Sequence, residues 1–242
     1  MINTLIIPDV HGRDFWIEPV EECLKNENIH IIFLGDYHDI YPYEWKKNTD
    51  ANKISIERFK QIIALKQQYP NRITLLIGNH DCFYAIGHDV CSCRADYKNR
   101  NEIEKLFSNN RKLFQIAEEK TINNKHFVFS HAGILKGWAE RVWGEEEINK
   151  PTFNIINELN NAWLVDHYGI LHSLGIYDSY RGWGGYKYGS PVWSDIRSWE
   201  NVKPEDTYGF NIVGHTQCAN NPIILNNIID LDCRKPFYID EN

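Results

Sequence analysis

The chain alternates between short apolar runs and tight polar turns. Thr4-Leu5-Ile6-Ile7 leads into Pro8-Asp9-Val10-His11-Gly12, and His30-Ile31-Ile32-Phe33-Leu34 into Gly35-Asp36-Tyr37-His38-Asp39. Ile73-Thr74-Leu75-Leu76-Ile77 leads into Gly78-Asn79-His80-Asp81, His126-Phe127-Val128-Phe129-Ser130 into His131-Ala132-Gly133, and Phe210-Asn211-Ile212-Val213 into Gly214-His215-Thr216. Runs of four or five residues, rich in β-branched, aromatic and leucine side chains, predict buried strands, and the Gly-containing turns after them predict sharp bends. Asp, His and Asn therefore collect at strand C-termini, where open α/β sheets place their ligands.

Between these runs the period changes. Ile56, Phe59 and Ile63 lie on one face of a helix expected over Ile54 to Tyr69, which Pro70 closes. Residues 14–26, 99–119 and 151–167 are weaker helix candidates, the second polar enough for a surface position. Strand character returns in Pro222–Leu225, Ile228–Leu231 and Phe237–Ile239. No repeat, low-complexity tract or linker interrupts the pattern. The expectation is one α/β domain over 1–242, with helical insertions around 83–120 and 135–175.

Composition narrows the picture. With 242 residues, 43% hydrophobic and 24% charged, the chain can bury a sizeable core. A net charge of −7 without a long basic run argues against non-specific nucleic-acid binding. Neither a signal-type N-terminus nor an apolar run of ~20 residues is present, so a cytoplasmic protein that enters no membrane is expected. The six cysteines are dispersed and read as reduced. His88, Cys91 and Cys93 could hold a structural zinc, although the repeated CxxC spacing of zinc ribbons is missing; buried thiols are the alternative.

Asp, His and Asn form an oxygen/nitrogen donor set suited to Mn, Fe, Zn or Mg, and two such ions ~3.5–4 Å apart can activate water and neutralise phosphoryl oxygens. The five motifs, in content and order, resemble those of the calcineurin-like metallophosphoesterases over residues 9 to about 216. Trp193-Ser194-Asp195 adds a likeness to the serine/threonine phosphoprotein phosphatase and diadenosine tetraphosphatase branch. The resemblance implies a four-layer αββα sandwich of two mixed sheets flanked by helices. It also implies two divalent ions, manganese first among them, and a metal-bridging hydroxide as nucleophile. Asp9 and His11 would hold one ion, Asp36 would bridge, and Asn79, His131 and His215 would complete the second. His80 would protonate the leaving alkoxide, with Asp39 orienting it.

One departure concerns the substrate. The phosphoprotein phosphatases follow the last Asp of the second motif with an arginine that grips phosphate, whereas here Asp39 is followed by Ile40-Tyr41. Arg181, Arg197 and Arg13 are the candidate replacements. The expected activity is phosphomonoester hydrolysis on a phosphorylated protein or small molecule. A dinucleoside-polyphosphate or other nucleotide hydrolase is the enzymatic alternative, and a non-catalytic metal-binding module the other. The segment Tyr177 to Trp199, rich in Tyr, Trp and Gly, reads equally as an aromatic lip over the site or as a packed loop.

Overall fold

The computed structural model describes residues 2–87, 94–182 and 185–240. The proposed His88/Cys91/Cys93 zinc site lies outside these residues, as do Trp183 and Gly184 of the aromatic segment. In chain order the principal elements are β1 (Ile2–Ile7), α1 (Ile17–Leu24), β2 (His30–Phe33), α2 (Ala51–Gln68), β3 (Ile73–Leu76), α3 (Asn79–Ala85) and α4 (Arg100–Asn109). There follow β4 (Phe114–Gln115), β5 (Ala117–Ile122), β6 (Lys125–Ser130), α5 (Lys136–Trp143), α6 (Glu145–Ile148), α7 (Ile155–Leu164) and α8 (Tyr168–Ser173). The last strands are β7 (Phe210–Val213), β8 (Ile223–Leu225), β9 (Ile228–Asp230) and β10 (Phe237–Asp240). They form two five-stranded mixed sheets, ordered β10-β1-β2-β3-β4 and β5-β6-β7-β9-β8.

The chain divides into two compact units. The first comprises the residues up to Phe114 together with the segment from Arg234 onward. Its β1, β2 and β3 are parallel, with Thr4 beside His30 and Ile31 beside Ile73, while β10 runs antiparallel to β1. Leu5–Ile7, Ile31–Phe33 and Ile73 are buried, as a parallel sheet covered on both faces requires. Helix α2 starts where the Asp50 carboxylate accepts from the Lys53 amide, and buries Ile56, Phe59, Ile62 and Ile63. Phe59 stacks on Tyr37 at 5.0 Å and meets Phe107 at 4.9 Å, so an aromatic cluster fixes α2 beneath the turn that follows β2.

The second unit spans Gln115–Cys233. Its β6, β7 and β9 are parallel, and β5 and β8 flank them antiparallel. Leu135, Ile196, Trp199, Val202, Val213 and Ile228 pack together in its core. The helix expected over 99–119 ends at Asn109, and Ala117–Ile122 is a strand instead. Charged Glu118, Glu119 and Lys120 hide the strand in the sequence; pairing with β6 and the Asn160 side chain, which accepts from the Ile116 and Ala117 amides at 2.9 and 3.2 Å, decides it. Cys23, Cys82 and Cys218 are buried thiols outside any disulfide. Among the described residues no helix is long and apolar enough to cross a membrane.

One carboxylate pins the turns after β2 and β3 together. Asp81 Oδ2 accepts from the amides of Asp36 at 2.7 Å and Gly78 at 2.9 Å, and Oδ1 accepts from that of Tyr37 at 3.0 Å. Gly78 is needed beside it, because a Cβ there would stand 2.1 Å from Asp36 Oδ1. Replacing one Asp81 oxygen by an amide nitrogen would set a donor against a donor. Asp81→Asn is therefore expected to lower unfolding free energy by about 3 kcal/mol in urea titrations; an unchanged midpoint would show that the pin is dispensable.

Candidate functional site

The strand-end turns hold their side chains by unusual backbone geometry. His11, Asp36 and Asp39 have φ of 44°, 52° and 54°, and His215 has φ of 77°. Non-glycine residues rarely occupy this left-handed region, and such strain concentrates at functional sites. In the first unit the two turns are tied directly: the His11 amide donates to the Asp36 carbonyl at 2.7 Å, and that of Gly12 to the Tyr37 carbonyl at 3.1 Å.

Asp9, His11, Asp36 and Asn79 are all buried. His11 Nδ1 donates to the His38 carbonyl at 2.9 Å, which leaves Nε2 as the lone-pair nitrogen. That nitrogen faces Asp36 Oδ2 at 3.4 Å and Asp9 Oδ2 at 3.9 Å. Burial, and then the proximity of His80, Arg13 and Arg94, hold the His11 pKa well below its ordinary value, so the ring is neutral. Two carboxylates and an imidazole lone pair, all acceptors, thus converge away from solvent. A divalent cation fits this donor set and supplies the countercharge it needs.

His80 lies in the same place: one ligand-type atom each from His11, Asp36 and His80 falls within 4.8 Å of the others. Its two nitrogens are nevertheless engaged differently from those of His11. Nδ1 donates to Asp39 Oδ2 at 2.7 Å, and Nε2 accepts from Arg94 Nη2 at 3.1 Å.

Asp39 is held from a second side. The Tyr84 hydroxyl donates to Asp39 Oδ1 and itself accepts from the Asp96 amide at 2.7 Å. Burial, then the adjacent Asp39 carboxylate, push the Tyr84 hydroxyl far above its ordinary pKa, so it remains a donor. His38, to which the sequence assigned no role, bonds Ser55 Oγ at 2.7 Å and Asp96 Oδ2 at 3.3 Å. Burial opposes ionisation of Asp96, but hydrogen bonds from His38 and Asn99 outweigh it and bring this carboxyl down to about 2.

In the second unit, His131 Nε2 and His215 Nδ1 lie 3.1 Å apart. Two ring nitrogens this close could serve one metal ion, imidazole being a donor that first-row metals accept. Trp193 stands edge-on to His215 at 5.7 Å. In the aromatic segment Trp199 is buried while Tyr180 and Tyr186 are exposed, so its described part contains both packed and solvent-facing rings.

The candidate phosphate arginines are engaged in ion pairs. Arg181 and Arg197 share the buried Asp195 carboxylate at 2.7 and 2.8 Å, and Arg181 also donates to Thr216 Oγ1 at 2.7 Å. Burial opposes ionisation of Asp195, yet the bonds from Arg197, with Arg181 beside them, hold its carboxyl below the ordinary range. Arg13 grips both Glu44 oxygens, at 2.7 and 3.1 Å. Arg94, absent from the sequence-based candidates, stands next to His80 and His11 instead. Its only sequence signal was a lone cation between Cys93 and Ala95, outside every strand-end motif.

Comparison with known proteins agrees with this geometry. The calcineurin-like phosphoesterase family matches residues 2–219. The serine/threonine-protein phosphatase 6 catalytic subunit of Drosophila melanogaster is 32% identical over 74 residues, which cover 30% of this chain and 21% of the relative. The chain thus spans about a fifth of that curated relative's length. Two crystal structures of a cold-active protein-tyrosine phosphatase, one titled as from a psychrophilic Shewanella species, share the fold. At 16% identity they give TM-scores of 0.56 and 0.58, covering 96% of this chain and 71% and 70% of theirs. With strand-end Asp, His and Asn motifs, two mixed sheets and a family match over nearly its whole length, the chain belongs to the calcineurin-like phosphoesterases.

Proposed function

We propose that the protein is a metal-dependent phosphomonoesterase of the serine/threonine phosphatase type. The observation that carries this reading is the buried His80–Asp39 pair beside an all-acceptor cluster of Asp9, His11 and Asp36. These three and Asn79 are proposed ligands in the first unit. His131 and His215 are proposed as the remaining two on the strength of their motifs and the convergence of their nitrogens. The family resemblance supports a pair of divalent ions, and manganese is the expected occupant. When bound, the ions acidify a water to make the attacking hydroxide and neutralise phosphoryl oxygens.

The chain's own groups perform the rest. His11 stays neutral and oriented because its Nδ1 is committed to the His38 carbonyl. Asp39 holds His80 through Nδ1 and stabilises its doubly protonated form, in which Nε2 carries the proton delivered to the departing alkoxide oxygen as the P–O bond breaks. Tyr84 keeps the Asp39 carboxylate turned toward His80.

Hydrolysis of p-nitrophenyl phosphate should require Mn2+, vanish with chelator and return on adding the metal back. With a phosphoserine peptide, whose alkoxide leaving group needs a proton, His80→Asn should lower kcat by about 10²–10⁴-fold. Asp36→Asn should abolish measurable turnover of both substrates. Wild-type rates in both variants would refute the assignment of roles. A strong preference for diadenosine tetraphosphate over phosphopeptides in a substrate panel would replace the phosphomonoesterase reading with that of a nucleotide hydrolase.

A further inference from the structure

The turn that presents Asp39 continues into Ile40 and Tyr41, so the phosphate grip cannot come from the residue after Asp39. A guanidinium reaches the same place from elsewhere in the chain. Arg94, on the connection between α3 and α4, lays its guanidinium carbon 3.7 Å from the centroid of the Tyr41 ring. Its Nη2 donates to His80 Nε2 at 3.1 Å and lies 3.5 Å from His11 Nε2, and its Nε is 3.4 Å from the Asp39 carbonyl. Tyr41 meets the His11 ring edge-on at 4.9 Å, so the platform beneath the guanidinium is itself seated on a proposed ligand.

We propose that Arg94 is the residue that binds the phosphoryl group of the substrate, an assignment resting on the reading of the site as a phosphoester hydrolase. Arg94 stands between the histidine that would serve the leaving oxygen and the imidazole of the ligand cluster, which is where the non-reacting phosphoryl oxygens would lie. Its contacts there are with imidazole nitrogens. A phosphoryl dianion offers the same N–H groups two-pronged bonds between opposite charges, a planar match that a ring nitrogen cannot give. Stacking on Tyr41 keeps the planar fork oriented without consuming its in-plane donors.

The segment is also held in place before substrate arrives. Two residues beyond Arg94, the Asp96 amide donates to the Tyr84 hydroxyl, and the Asp96 side chain is bonded to His38 and to the Asn99 amide and side chain. Tyr84 in turn donates to Asp39. The clamp and the acid–base pair thus share one buried network, although they are 55 residues apart in sequence. Arg13, Arg181 and Arg197, by contrast, are drawn onto Glu44 and Asp195.

Calorimetric titration of the Mn2+-loaded protein with inorganic phosphate tests this, using Arg94→Ala, Arg94→Lys and wild type, with circular dichroism and melting as a check on folding. Phosphate affinity should fall at least tenfold in Arg94→Ala. Arg94→Lys should lie between, because a point charge cannot make the fork. The KM for p-nitrophenyl phosphate should rise in parallel. Unchanged phosphate affinity in folded Arg94→Ala, or wild-type protein that does not bind phosphate, would overturn the assignment. Should Arg94→Ala misfold, the lysine variant decides, since wild-type affinity in it would equally refute a fork-specific clamp. Arg94-dependent phosphate binding without turnover of any phosphate ester would instead leave the clamp standing and remove the proposed activity.

Discussion

A buried convergence of carboxylate and imidazole acceptors is the constraint around which the first unit is organised. Asp9 and Asp36 present carboxylate oxygens to a histidine nitrogen whose proton lies on the opposite side of the ring, bonded to the His38 carbonyl. Such a cluster is costly in a desolvated place unless a cation neutralises it. The strained turns make sense in that light. His11, Asp36 and Asp39 adopt left-handed backbone conformations that point their side chains inward, and the Asp81 pin and the close approach at Gly78 hold the backbone there.

The polar groups around the cluster are tied to one another. Asp39 takes one bond from His80 and one from Tyr84; Tyr84 takes one from the Asp96 amide; Asp96 takes bonds from His38 and Asn99. His38 closes the circle, since its own carbonyl orients His11. Each of these groups has a defined partner, which would give the proposed catalytic residues fixed positions before substrate binds. The proposed ligand His11 and the proposed His80–Asp39 pair are therefore linked through His38, whose carbonyl bonds one and whose ring joins the network of the other.

Much of this was visible in the sequence because parallel strands announce themselves. The runs at Leu5–Ile7, Ile31–Phe33 and Leu75–Ile77 are apolar at every position, and the glycines at 12, 35 and 78 mark the bends that follow. The histidines and aspartates in those bends could thus be grouped without coordinates. Three features could not. The strand Ala117–Ile122 carries Glu118-Glu119-Lys120, which suits a helix surface as well as a half-exposed strand, and only pairing with β6 resolves it. Arg94 meets His80 in a contact that no local sequence pattern encodes. The pairing of Arg181 with Arg197 on Asp195 depends on loop geometry, so charge alone could not tell these two guanidiniums from a phosphate ligand.

The central claim is that the strand-end residues exist to hold divalent metal, and metal binding itself tests it most directly. Metal-stripped protein should be equilibrated with Mn2+ by dialysis and its retained metal counted by elemental analysis. Close to two ions per chain are expected for wild type, and fewer than one for Asp36→Asn, whose carboxylate would bridge them. Retention of only trace metal by folded wild-type protein, or equal retention by the variant, would contradict the account.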